Sequence, residues 1–372
     1  MRDSLLRVAS LVRKEVLALM RDPRSRVILF VPPLLQSFLF GYAATFDLNH
    51  APYAVYDEDR SAASADLLAR MDGSGVFERV ATIQQSSDIA RLIDDRDALL
   101  VLRIGPDFER KLSAGQQADI QLIADGRNSN TAGTAVSYVT AIVSGFNADW
   151  RAAHDMPDPP VTTSVRAWYN GNLETSWNMI PGLIGTITLL QVLMLTALSV
   201  AREREDGTFD QLLVTPIRPS EIMLGKALPS TVIGLIQATI ILLVAQLWFK
   251  IPFAGSFVTL YAGLIPFVIA SVGIGLFVSS LVANMQQAML FSFILLMPFI
   301  LLSGLATPIA NMPDVFQWMT LIDPLRYALD ITRRVYLEGA GLGQLIGDIW
   351  PMLLIGAITL PIAAWMFRNR LT

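Results

Sequence analysis

The 372 residues contain no cysteine and only two histidines, His50 and His154. That leaves no thiol nucleophile and too few soft ligands for a zinc, haem or iron–sulfur site. Charge is scarce as well: 16% of residues are charged against 53% hydrophobic, and the mean hydropathy is +0.49, a balance unlike that of soluble domains. A net charge of -4 and a pI near 5.3, with no basic run interleaved with aromatics, give no case for nucleic acid. No Gly-x-Ser-x-Gly elbow is present. The phosphate-loop pattern is approached only at Leu224-Gly225-Lys226-Ala227, with Ser220 in place of the first glycine and Ala227 in place of the hydroxyl residue. No catalytic residue, metal site or cofactor site is therefore expected in this chain.

What the chain does have is long charge-free runs. Residues 1–26 carry Arg2, Arg7, Arg13, Lys14, Arg21, Arg24 and Arg26 with Leu5, Val8, Val12, Val16 and Leu19 at helical spacing. This reads as a cytosolic amphipathic helix lying on the inner face of a bilayer. Residues 27–46 are uncharged and match the roughly 20 residues needed to cross about 30 Å of hydrocarbon, so they are the first expected span. The basic region before them is too long for a signal peptide, which makes the segment an uncleaved anchor.

Residues 47–170 shift to 18 acidic and 11 basic residues. Strand-like runs at 53–56, 76–82, 98–104 and 120–124 alternate there with helix-like ones at 62–71, 87–95 and 107–114, and a long apolar-striped helix follows from 128 towards a proline-rich break at 155–160. An inserted α/β domain results. The remainder, 171–372, is expected to be a five-span membrane domain with spans at 179–201, 227–249, 257–282, 288–307 and 349–367, and an outer hairpin at 308–347. Between Lys250 and Asp314 lie 63 residues without Asp, Glu, Lys, Arg or His. A single helix of that length would be about 95 Å long, so the chain must fold back, most readily at Asn284-Met-Gln-Gln287. The expected fold class is an α-helical polytopic membrane protein with six transmembrane helices and an inserted extracytoplasmic α/β domain.

Six spans put both termini on one side. The segments grouped with the termini hold thirteen basic residues, against Lys250, Arg326, Arg333 and Arg334 in the opposite short loops; this favours cytoplasmic termini and an outer 47–170 domain. Arg326, Arg333 and Arg334 breach the trend, and either lipid headgroups or the acidic outer domain could meet them. Span interiors contain no carboxylate or histidine, so an intramembrane proton relay has no material. Their neutral polar residues, such as Gln36, Gln191 and Gln237, suit interhelical hydrogen bonds, with a path for cargo as the lesser reading.

One charged stretch separates two long uncharged runs. Residues 202–226, REREDGTFDQLLVTPIRPSEIMLGK, hold nine charges and read as a handle in water. Asp206-Gly207 can turn the chain, Thr208 with Gln211 has capping-box spacing, and Phe209, Leu212 and Leu213 would share one face. Pro216 and Pro219 stop that short helix, and Ser220 with Glu221 starts the next.

The run Glu203-Arg-Glu-Asp-Gly-Thr-Phe-Asp-Gln-Leu-Leu-Val-Thr-Pro216, followed by Glu221 and Leu224-Gly-Lys226, resembles the segment between the second and third spans of ABC-2 type (type V) exporter permeases. Asp323-Pro-Leu-Arg-Tyr327 adds a weaker likeness. Ile104-Gly-Pro-Asp-Phe-Glu-Arg-Lys111 and Asp125-Gly-Arg-Asn-Ser-Asn130 resemble the multidrug-type subgroup of Gram-negative bacteria, which carries a large domain after the first span. The resemblance covers essentially the whole chain. It implies that Glu203, Glu205, Asp206, Gly207, Thr208, Asp210, Gln211 and Leu212 form a coupling segment contacting a separate ATP-binding-cassette ATPase, where ATP and magnesium would be used. It implies a second permease subunit, identical or paralogous, a bacterial inner-membrane location, and export of an amphipathic or hydrophobic substrate. A periplasmic adaptor on the outer domain stays open. Two other classes compete: a membrane receptor or scaffold that binds a ligand through residues 47–170 and transports nothing, and a secondary transporter, which the uncharged span interiors oppose.

Overall fold

A computed structural model describes residues 2–21, 23–43, 48, 50–157, 168–171, 174–205, 207 and 217–369. The chain divides into two compact units, Phe46–Arg166 and the remainder on either side of it.

In Phe46–Arg166, strands β1 (Ala51–Asp57), β2 (Phe77–Thr82), β3 (Leu100–Ile104) and β4 (Ile120–Ala124) form one sheet in the order β2-β1-β3-β4. β1 runs parallel to β2 and β3, and β4 closes the edge antiparallel to β3. Alternation decides the layers, because successive side chains in a strand point to opposite faces. Tyr53, Val55, Leu100 and Leu102 bury one face under α3 (Ala62–Asp72) and α6 (Ser129–Ala153), while Ala54 and Val101 bury the other with Leu92 of α4 (Ser87–Asp94).

The loop acids of this unit hold backbone. Asp59 accepts from the N–H groups of Phe108 and Glu109 at 3.1 and 3.0 Å, which fixes the start of α5 (Phe108–Ser113). Asn128 caps α6, and Asp125 pairs with Arg127 at 2.8 Å. The 104–111 and 125–130 runs thus have local structural work. The proline-rich break read at 155–160 lies outside the described residues from 158 onwards.

The other unit is helical: α1 (Arg2–Arg21), α2 (Pro23–Ala43), α7 (Thr175–Glu205), α8 (Pro219–Leu243), α9 (Phe257–Leu281), α10 (Met285–Leu302), α11 (Asp314–Met319), α12 (Pro324–Arg333) and α13 (Leu342–Asn369). Among the described residues five helices are long and apolar enough to cross a membrane, carried by α7, α8, α9, α10 and α13. The shorter apolar stretch Leu29–Tyr42 lies in α2, and residues 44–46 of the first expected span lie outside the described residues. α13 begins at Leu342, inside the stretch read as hairpin. α7 and α9 form the centre, packing on each other, with α8, α10 and α2 also on α7, and α13 on α9. α8 ends in one wide π turn, Val244–Trp248. There the Trp248 indole N–H donates to the Tyr42 hydroxyl at 2.9 Å and ties α2 to α8.

α12 is not a surface hairpin helix. Leu325, Leu329 and Ile331 are fully buried against α7, α9 and α13. Asp323 starts it, accepting from Leu325 N–H at 2.8 Å, with Pro324 in the first turn. The arginines that breached the basic-residue trend find partners within this unit: Arg334 pairs with Asp330 at 3.3 Å, Asp348 at 3.4 Å and Glu338 at 3.8 Å.

Candidate functional site

The ends of α7 and α8 flank residues 206–216, and the described part of that region is built from charge. α7 stops because Gly207 adopts φ +67, a left-handed conformation that costs an L side chain, while its N–H still reaches Arg204 O at 3.2 Å. α8 starts at Pro219, whose missing N–H costs nothing in a first turn, and Glu221 accepts from Arg218 N–H at 3.0 Å.

Within the stretch read as a handle in water, Glu221 and Lys226 are buried. α1 covers them. Gly225 permits this: a Cβ there would stand 2.7 Å from Leu11 Cβ, too close for any side chain, so the glycine lets α1 lie directly on α8. Lys226, one residue on, has only 3% of its side chain exposed, and its ammonium meets Glu203 Oε2 at 2.8 Å and Glu15 Oε1 at 3.1 Å. It also donates to Ser199 Oγ at 3.1 Å, while Lys14 reaches the other Glu203 oxygen at 3.1 Å. Two cations and two carboxylates from α1, α7 and α8 thus neutralise one another. A lysine could not be buried here otherwise, since an unpaired charge costs several kcal/mol to desolvate. One turn earlier, Glu221 accepts from Ser4 Oγ at 2.6 Å and lies 3.6 Å from Arg7.

The same end of α7 also grips the turn between α9 and α10. Arg204 Nη1 donates to Val282 O at 2.6 Å, and Met285 N–H donates to Glu205 Oε2 at 3.1 Å. Asn284 caps α10 by accepting from Gln287 N–H at 2.9 Å, so the polar run 284–287 is a helix start.

Of the residues named for ATPase contact, Glu203 sits inside the charge cluster, Glu205 is exposed beside Met285, and Gly207 makes the turn. Asp206, Thr208, Asp210, Gln211 and Leu212 lie outside the described residues, as do Phe209 and Leu213. Lys14, Glu15, Ser199 and Lys226 were not singled out as site residues. The signal was there in part: a lysine inside the first two turns of an otherwise uncharged helix needs a counter-ion. Of the glutamines, Gln237 Nε2 donates to Leu29 O at 3.0 Å and joins α8 to α2. Gln36 is half-buried on α2 and Gln191 on α7. Among the described residues no group of three or more His, Asp or Glu side chains could hold a metal ion.

A multi-pass helical bundle with a charged, clamped connection between two span-length helices defines a membrane-embedded transport subunit. The chain belongs to the ABC-2 transporter family: the family model described as "ABC-2 family transporter protein" matches residues 24–365. It is 42% identical to "Probable multidrug ABC transporter permease YbhR" of Escherichia coli (strain K12), over 98% of this chain and 99% of that protein. It is 32% identical to "Probable multidrug ABC transporter permease YbhS" of the same strain, over 90% and 89%, and 29% identical to "Inner membrane transport permease YhhJ", over 87% and 86%. Family and helices together make it the permease of an ABC transporter and a multi-pass inner-membrane protein.

Proposed function

We propose that the chain is one of two paired permease subunits of an exporter that moves an amphipathic or hydrophobic, drug-like or lipid-like substrate out of the cytoplasm. The names of its relatives support the multidrug reading. ATP and magnesium are used in separate ATPase subunits, and this chain catalyses nothing. It crosses the membrane six times, with α2 as the first span, cytoplasmic termini, and Phe46–Arg166 outside, where an adaptor could dock.

The observation that carries the reading is the charge cluster of Lys226, Glu203, Glu15 and Lys14. It fastens α1, α7 and α8 together at the point where residues 206–216 leave and re-enter the bundle. A push delivered to that segment by an ATPase would be transmitted to three helices as one body, because the alternative is to strand buried charge. α7 then carries the displacement: the 25 residues from Asn178 to Glu203 span about 37 Å.

The test is reconstitution of the chain with its ATPase in proteoliposomes. ATP hydrolysis stimulated by the native chain, and lost on Gly207 and Gln211 substitution without loss of complex formation, supports coupling through this segment. Hydrolysis indifferent to both substitutions refutes it.

A further inference from the structure

At the opposite end of α7 a cavity of about 530 Å³ opens between α7, the end of α10, α12 and the start of α13. Its size is that of ordinary small-molecule sites. Arg333, the last residue of α12, lines it. Only one edge of this guanidinium is used: Nη1 donates to Gly304 O at 3.3 Å. Nε and Nη2 are buried and have no partner among the described residues.

Those two atoms form the edge that binds a carboxylate or phosphate through two parallel hydrogen bonds. The carboxylates nearby do not occupy it. Asp330 and Asp348 turn to Arg334 instead. Arg326, also on the cavity wall, donates to Thr320 Oγ1. Burial without a counter-ion pushes the Arg333 guanidinium below its ordinary value, with Asp330 only partly offsetting it. Leaving charged donors dry and unpaired is costly. The rest of the wall is largely apolar, including Met179, Leu305, Ala306, Ile309 and Leu329.

We propose that this cavity binds the anionic headgroup of an amphiphile, with two oxygens on Nε and Nη2 of Arg333 and the adjoining methylenes against Leu305, Ile309 and Leu329. The headgroup class is a carboxylate or phosphate monoester or diester. Binding stands without the export reading; only the view of the bound amphiphile as cargo at a release site rests on it.

The test uses the full chain purified in a neutral maltoside detergent and radiolabelled dodecanoate. Dodecyl phosphate should displace the label, whereas dodecyltrimethylammonium, with the same tail and opposite charge, should not. Arg333→Lys keeps the charge but loses the fork, and binding should fall about tenfold or more. Ala306→Trp, at an exposed position on the cavity rim, should block binding while leaving Arg333 in place. This second variant keeps the test decisive if the first does not fold. Equal displacement by the cationic and anionic probes overturns the proposal, as does native binding by a monodisperse sample of either variant. Nanodiscs separate the sources. Competition by phosphatidylglycerol but not phosphatidylcholine assigns the site to a bilayer headgroup, and dodecanoate binding indifferent to both lipids assigns it to single-chain amphiphiles. Each of these outcomes retains the anion site.

Discussion

Lys226 Nζ lies 2.8 Å from Glu203 Oε2, so the helix entering the 206–216 segment and the helix leaving it are joined by one buried ion pair. Removing one partner leaves the other charge stranded. Lys226→Met should destabilise the chain by about 3 kcal/mol. Adding Glu203→Gln should recover part of that loss, although Glu15 and Lys14 remain to be re-paired. Thermal unfolding of the single and double variants in detergent checks this. A double variant no more stable than Lys226→Met would refute the pairing.

The Gly225–Leu11 contact predicts a reciprocal effect. Gly225→Ala forces a methyl to within 2.7 Å of Leu11 Cβ, so α1 must lift or the helices must shift, costing about 1–3 kcal/mol. Leu11→Ala on that background should not restore stability fully, because the nearest clash is with a Cβ that alanine retains. Protease cleavage within α1 should rise in Gly225→Ala and reach its highest level in Gly225→Leu.

Gly207 holds a left-handed backbone. Gly207→Val should strain the turn by about 1–2 kcal/mol and reduce stimulated ATP hydrolysis, whereas Gly207→Asn, which tolerates this conformation, should retain most of it. Equal activity of both variants would separate the turn from coupling.

Asp323, at the start of α12, carries a pH dependence. Burial pushes its carboxyl up to about 8, only partly offset by the Leu325 and Arg326 N–H groups and the Arg326 charge. With the folded value above the unfolded one of about 3.9, folding favours the protonated acid. The stability this contributes is complete below about pH 4 and is lost as pH rises towards 8. Asp323→Asn keeps a cap on Leu325 and should flatten the fall in unfolding temperature between pH 5 and pH 8. An unchanged slope would show that this carboxyl does not titrate in that window.

Topology can be read cleanly because the chain has no native cysteine. Ser86→Cys, exposed at the edge of α4, should label with a membrane-impermeant maleimide in intact spheroplasts. Ser10→Cys, exposed on α1, should label only after permeabilisation. The reverse pattern would invert the proposed orientation.

Much of the architecture is legible in particular residues. The charge-free lengths around Leu193, Leu242 and Phe267 mark span-length helices, since hydrocarbon thickness sets helix length. The alternation of Tyr53, Ala54 and Val55 marks a strand buried on both faces. Gly207, Pro219 and Glu221 announce a turn and a helix start through backbone chemistry within a few residues. Polarity misled where it was taken for exposure: Glu221 and Lys226 lie under α1, and α12, read as part of an outer hairpin, packs inside the bundle.

The sequence by itself determined the class of this protein, because composition, run length and local caps act over neighbouring residues. Tertiary structure alone decided what its charges do. Lys226 meets Glu15 across 211 positions, Gly225 is small because Leu11 is there, and Arg333 keeps two buried donors free because Arg334 takes the acids beside it. Each of these is a contact between distant segments, and its energy depends on burial that no local pattern encodes.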